Sequence, residues 1–102
     1  MKDIFPKQIR NLLAFEGSFD AFKLTADSCS VLFASYPAGT TIEPHIHDTD
    51  NVGVITKGEL ILTINGETTH YVVGNWYHVP AQTEHSARFD QATAEIEFWF
   101  ET

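Results

Sequence analysis

From Phe22 to Phe100 the chain is cut at short, regular intervals by turn-forming residues, and this punctuation restricts the fold more than any other feature. Pro37-Ala38-Gly39, Lys57-Gly58-Glu59, Asn65-Gly66, Gly74-Asn75 and Pro80-Ala81 separate runs rich in Val, Ile, Thr, Phe and Tyr. Branched and aromatic side chains suit a pleated, half-buried surface, so the runs predict strands. Between Leu60-Ile61-Leu62-Thr63-Ile64 and Thr68-Thr69-His70-Tyr71-Val72-Val73, the pair Asn65-Gly66 predicts a two-residue hairpin, because both residues tolerate positive φ. Strands this closely spaced imply an all-β sandwich or barrel.

The first 21 residues read differently. After Asp3-Ile4-Phe5-Pro6, the apolar positions Ile9, Leu12 and Leu13 have a loosely helical spacing that never becomes long. We expect an N-terminal arm or edge strand over residues 1–21 and a barrel domain over 22–102. A chain of 102 residues supports one hydrophobic core and no more. No repeat, low-complexity tract or linker interrupts it.

Fourteen acidic against six basic residues leave a formal charge of −8. That field repels phosphate backbones and anionic lipid surfaces, so neither nucleic acid nor membrane is expected as a partner. The apolar run Leu12-Leu13-Ala14-Phe15 behind Lys2, Lys7 and Arg10 is too brief for a signal-peptide core or a bilayer span. Cys29 is the only cysteine, which excludes an intrachain disulfide and a thiolate metal cluster and fits a reducing cytoplasm. It reads as a small hydrophobe.

His45 and His47 stand two apart, so on a strand both imidazoles point to one face. Asn51 has the same parity and is a candidate to reach the same point, with Asp48 and Asp50 read as turn residues between. His85 follows downstream after Pro80-Ala81-Gln82-Thr83-Glu84. His70 and His78 read as ordinary surface or core histidines. Imidazole suits Zn, Ni, Fe, Mn or Cu, and residue type alone does not choose among them.

The stretch Gly39-x5-His45-x-His47-x3-Asn51-x6-Gly58 resembles the first cupin motif, with Asn51 where many members carry Glu. Gly74-x5-Pro80-x-Gln82-x2-His85 resembles the second, with Gln82 replacing a Gly and Phe89 replacing an Asn. The resemblance implies an RmlC-like jelly roll, a double-stranded β-helix whose lumen holds a divalent metal ion. His45, His47 and His85 take the histidine places, and Asn51 takes the fourth. An amide there is neutral, so an ion keeps its full charge and its Lewis acidity rises. Some small cupins carry Gln at this place after an acidic residue, and Asp50-Asn51 looks like a shortened version of that pair.

The last strand admits two orientations. Ala94, Ile96, Phe98 and Phe100 form one face, and Glu95, Glu97, Trp99 and Glu101 form the other. The plain reading puts the apolar face in the core and the acids in water. The functional reading draws on cupins that linearise unsaturated uronates from pectin and alginate, in which the last strand presents an Asp and an aromatic to the pocket. Glu97 and Trp99 match those places, which would make Glu97 the catalytic acid or base.

Two classes of function follow. One is a metal-dependent enzyme that uses Lewis-acid and proton-transfer chemistry on a small sugar-acid-like molecule, with an Fe-dependent dioxygenase as a variant. The other is a non-catalytic cupin that senses a metabolite; no helix-turn-helix fits in the residues outside the barrel, so such a sensor would act through a partner chain. Leu60-Ile61-Leu62 and Ala94 to Phe100 place large apolar groups on both sides of their strands, and a homodimer is expected to cover the outer ones.

Overall fold

The structure, a computed structural model, describes residues 4–15, 17 and 19–101. A one-turn helix α1 (Lys7–Arg10) precedes the strands β1 (Leu13–Phe15), β2 (Asp20–Ala26), β3 (Cys29–Tyr36), β4 (Thr40–His45) and β5 (Asp50–Lys57). They are followed by β6 (Glu59–Ile64), β7 (Glu67–Val72), β8 (Trp76–Val79), β9 (His85–Phe89) and β10 (Thr93–Phe100). These strands form two antiparallel sheets, a six-stranded one in the order β1-β2-β3-β10-β5-β8 and a four-stranded one in the order β4-β9-β6-β7. This is the cupin jelly roll expected from the motifs.

The turns sit where the sequence marks them. Asn65 and Gly66 adopt φ of 48° and 85°, joining β6 to β7 as a hairpin in which Ile64 faces Glu67. Gly58 has φ of 78°, and a Cβ there would overlap the Ala92 carbonyl and Thr93, so only glycine lets β5 turn into β6.

The two sheets press their inner faces together. Leu32, Ala34, Tyr36, Ile55, Tyr77 and Val79 of the large sheet pack against Leu60, Leu62 and Phe89 of the small one. A fully buried aliphatic or aromatic side chain of this kind contributes about 2 kcal/mol. Ile61, expected to need an external cover, is only 2% exposed, so β6 leaves no open apolar face.

The arm joins the sheet. β1 is its edge, pairing with β2 through Ala14 opposite Phe22. Phe5 packs edge-on against Phe22, and Arg10 Nε donates to the Phe5 carbonyl at 3.0 Å. The arm then feeds an aromatic stack of Phe15, Phe19, Tyr36 and Phe89, with successive ring centroids 5.5, 4.5 and 4.1 Å apart.

On β10 the plain reading fails. Glu95 and Glu97 are each 2% exposed and face inward, whereas Ile96 and Phe98 are half-buried on the outer face and Phe100 is 40% exposed. Register explains the choice. β10 lies between β3 and β5, with Glu95 opposite Ala34 and Ile55, Glu97 opposite Leu32 and Gly53, and Trp99 opposite Ser30 and Asn51. Because Leu32 and Ala34 face the core, the acids share their side of the sheet.

Candidate metal centre and acidic pocket

His45 closes β4 opposite His85, which opens β9, after a register irregularity between Ile42 and His45. His47 lies beyond β4, in the connection to β5. The two imidazoles of the first motif therefore meet by way of an irregular strand end and a connection, not by the parity of one regular strand. The connection is pinned from the second motif, since the Gln82 backbone N–H donates to the His47 carbonyl at 2.9 Å. Gln82 adopts φ of 62°, a left-handed conformation that a glycine takes without strain.

The three rings cluster with centroid separations of 4.2 Å between His45 and His85, 4.6 Å between His47 and His85 and 5.7 Å between His45 and His47. Each Nδ1 is bonded to a backbone carbonyl: His45 to Glu43 at 2.9 Å, His47 to Thr49 at 3.0 Å and His85 to Thr83 at 2.9 Å. A carbonyl only accepts, so each Nδ1 carries a proton, and in the neutral form each ring presents its lone pair at Nε2. One ligand atom from each histidine lies within 4.8 Å of the others, and His47 Nε2 is buried without a hydrogen-bond partner. Burial, with smaller contributions from His45 and His47, holds His85 below its ordinary range against the Thr83 carbonyl, which favours the neutral, ligating form. Nδ1 tied to an acceptor and Nε2 free is the donor set a divalent ion requires. The residues fit such an ion.

Asn51 is buried and lines the same cavity as His45 and His85. Its amide nitrogen donates to the Phe98 carbonyl at 3.2 Å. His70 and His78 stand apart on the surface, bonded to Glu59 at 3.1 Å and Asp50 at 2.9 Å. Asp50 thus opens β5 and holds His78.

The cavity measures about 490 Å³, within the range of small-molecule sites. Its walls are largely apolar, and the inner faces of β10, β3 and β8 add Glu95, Glu97, Tyr36 and Tyr77 to the polar groups of His45, His85 and Asn51. Trp99 packs edge-on against His47 at 4.8 Å and its indole N–H donates to Glu97 Oε1 at 3.1 Å. The Tyr36 hydroxyl donates to Glu97 Oε2. Burial raises Glu97 to about 7, against hydrogen bonds from Tyr36, Trp99 and Glu95 that favour the carboxylate. Burial, then the charge of Glu97, holds Glu95 well above the usual carboxylate range. Tyr36 and Tyr77 are raised by burial and by the same two acids.

Glu95, Tyr36 and Tyr77 were not singled out by the sequence. The parity of β10 carries the signal for Glu95, because it shares a face with Glu97. The tyrosines carry none. Gly53 is a further member, since a Cβ there would overlap the Tyr77 ring, and its absence gives that ring its place beside the acids.

Comparison with known proteins agrees with this fold. The chain is 36% identical over 58 residues, 56% of its length, to the HTH-type transcriptional regulator PuuR of Escherichia coli, and the match covers 31% of that relative. The chain thus spans under a third of the curated relatives it matches. An RmlC-like cupin from Shewanella frigidimarina superposes with a TM-score of 0.80 at 16% identity, over 90% of this chain and 86% of the other. KdgF from Halomonas sp. superposes with a TM-score of 0.80 at 17% identity, over 96% and 94% of the two chains. These likenesses establish the fold. Residues 32–99, from the inner face of β3 to Trp99, match the Cupin domain family, and the chain belongs to it.

Proposed function

We propose that this cupin is a metal-dependent enzyme acting on a small sugar-acid-like molecule, with His45, His47 and His85 holding one divalent ion through Nε2 and Glu97 moving a proton. One observation carries the reading: three clustered imidazoles have Nδ1 tied back and Nε2 left free, and two of them, His45 and His85, line the same cavity as a buried carboxyl poised near neutrality. When bound, the ion, whether Zn, Ni, Fe, Mn or Cu, supplies a positive charge that polarises an oxygen of the bound molecule. Asn51 has its amide nitrogen engaged by Phe98, which leaves its carbonyl oxygen as the atom offered to the ion or to an intervening water.

Glu97 is suited to proton transfer because both of its states are accessible near pH 7. Tyr36 and Trp99 fix its two oxygens, so the proton is taken up or released at a defined place. Leu32, Leu60, Leu62 and Phe89 line the cavity and exclude water, which strengthens each polar contact inside it.

The test is an assay of the metal-loaded protein against unsaturated uronates and related keto acids, beside Glu97→Gln and Asn51→Ala. Loss of turnover in Glu97→Gln with metal content unchanged is the expected result. Turnover that survives Glu97→Gln removes the proposed base. A second reading, a pocket that senses a metabolite without converting it, is favoured by the match to a transcriptional regulator. It moves ahead if the fully loaded wild type is inactive across the panel. Iron in the purified protein together with oxygen uptake would favour the dioxygenase variant.

We further propose a homodimer formed through the large sheet. Phe22, Phe33, Ile96, Val54 and Trp76 face one another in register across five strands, forming one band of its outer face. Trp76 is 60% exposed and packs against Phe98 at a centroid distance of 6.1 Å. No helix among the described residues is long and apolar enough to cross a membrane, and a cytoplasmic location remains our reading of the lone cysteine and the acidic surface.

A further inference from the structure

Glu95 is a costly residue for its position. On β10 its neighbours in register are Ala34 and Ile55, neither of which offers a side-chain donor. Tyr77 and Glu97 lie within hydrogen-bonding reach of its carboxyl group, yet Oε2 is buried without a partner. A buried acceptor left unsatisfied costs about 1–3 kcal/mol, and an apolar residue would pack there without that cost. Glu95 also borders the cavity that Glu97, His45 and His85 border.

We infer that Glu95 is a substrate-binding residue whose free carboxyl oxygen accepts a hydrogen bond from a hydroxyl of the bound sugar acid, several bonds away from the carbon at which Glu97 acts. This rests on the enzyme reading above and extends it to the part of the substrate remote from the reaction. The spacing supports it. From His47 the inner face of the site runs through Trp99, which touches its ring, and Glu97, which holds the Trp99 indole, to Glu95. Each step of two residues along a strand advances about 6.7 Å, comparable to the span of a six-carbon chain. Glu95 stands one such step from Glu97, so a hexuronate whose reacting carbon lies at Glu97 can place a far hydroxyl at Glu95. Tyr77, resting over Gly53, bounds that hydroxyl's position.

The experiment is calorimetric titration of the metal-loaded protein with D-galacturonate, which has no double bond to react, and with its 2-, 3- and 4-deoxy derivatives. The wild type should bind galacturonate at least fivefold more tightly than one of the three. Glu95→Met, which removes the acceptor while filling its space, should lose that preference, and Glu95→Gln, which keeps a carbonyl oxygen, should retain it. Because Glu95→Met deletes an unpaired buried polar atom, its melting temperature should not fall below the wild-type value. A preference unchanged in Glu95→Met, or no preference in the wild type, overturns the role of Glu95 and leaves the enzyme reading standing. Failure of the wild type to bind any of the four removes the sugar-acid class and, with it, both proposals.

Discussion

Replacing Glu97 by Gln tests whether the carboxyl in the cavity has the proton affinity that its surroundings imply. Burial raises it from an ordinary 4.5 to about 7. A carboxyl with a higher value folded than unfolded binds its proton more tightly in the folded chain, so it favours folding least when ionised. Its penalty is absent below about 4.5, grows as pH rises through the window to about 7 and is complete above it. The full penalty is about 3 kcal/mol, and most of it falls between pH 5 and pH 8.

The amide introduced by Glu97→Gln would be neutral throughout. Its oxygen can take the Trp99 indole bond while its NH2 group donates to Tyr36, whose hydroxyl rotates to accept, so any pH-independent offset stays near ~1 kcal/mol. The diagnostic quantity is therefore the slope, not the stability at one pH. Relief of Glu95 from a charged neighbour acts in the same direction at high pH. The assay is urea unfolding between pH 5 and pH 8 in the presence of a chelator, since an ion on the histidines would tie stability to pH through their own protonation. Glu97→Gln should gain about 2–3 kcal/mol on the wild type across that interval. Parallel stability curves for the two proteins would refute the raised proton affinity.

Alanine at His45, His47 or His85 should sharply lower bound metal by elemental analysis, and a triple variant that keeps one ion per chain would show that the site lies elsewhere. Phe98→Glu, beside the outer apolar band and against Trp76, should convert a dimeric mass to a monomeric one in light scattering at micromolar concentration; a monomeric wild type would count against the interface. Gln82→Gly should raise unfolding free energy by about 0.5 kcal/mol, because relief of a left-handed side-chain residue outweighs the added chain entropy of glycine, and a loss of stability would contradict that account of φ 62°.

The fold and the histidines were legible because their signals are local. A turn pair such as Asn65-Gly66 dictates its own backbone, and the motif spacing of His45, His47 and His85 survives although the first two do not share a regular strand. The orientation of β10 was not legible in the same way. Its two faces are Ala-Ile-Phe-Phe and Glu-Glu-Trp-Glu, and hydrophobicity favours burying the first. Position overrides it: β10 is an interior strand of the large sheet, and its register against Leu32 and Ala34 turns the acids inward. The cost is lowered by Tyr36, Tyr77 and Trp99, which come from three strands and carry no shared spacing.

The two parts of the site belong to different sheets, which links metal binding to the packing of the barrel. His45 and His85 stand on β4 and β9 of the small sheet, whereas Glu97, Trp99 and Tyr36 stand on β10 and β3 of the large one. The His47 ring against Trp99 joins the histidines to the acidic side, and the Gln82 N–H on the His47 carbonyl ties the two motif segments to each other. His47 is thus the hinge of the arrangement. If His47 holds an ion through Nε2, its ring would be fixed against the Trp99 face, and the indole N–H would in turn orient the Glu97 carboxyl. On the function proposed above, Glu97 would be oriented through the residue that would help hold the ion, and a disturbance at either end would reach the other through the His47–Trp99 contact.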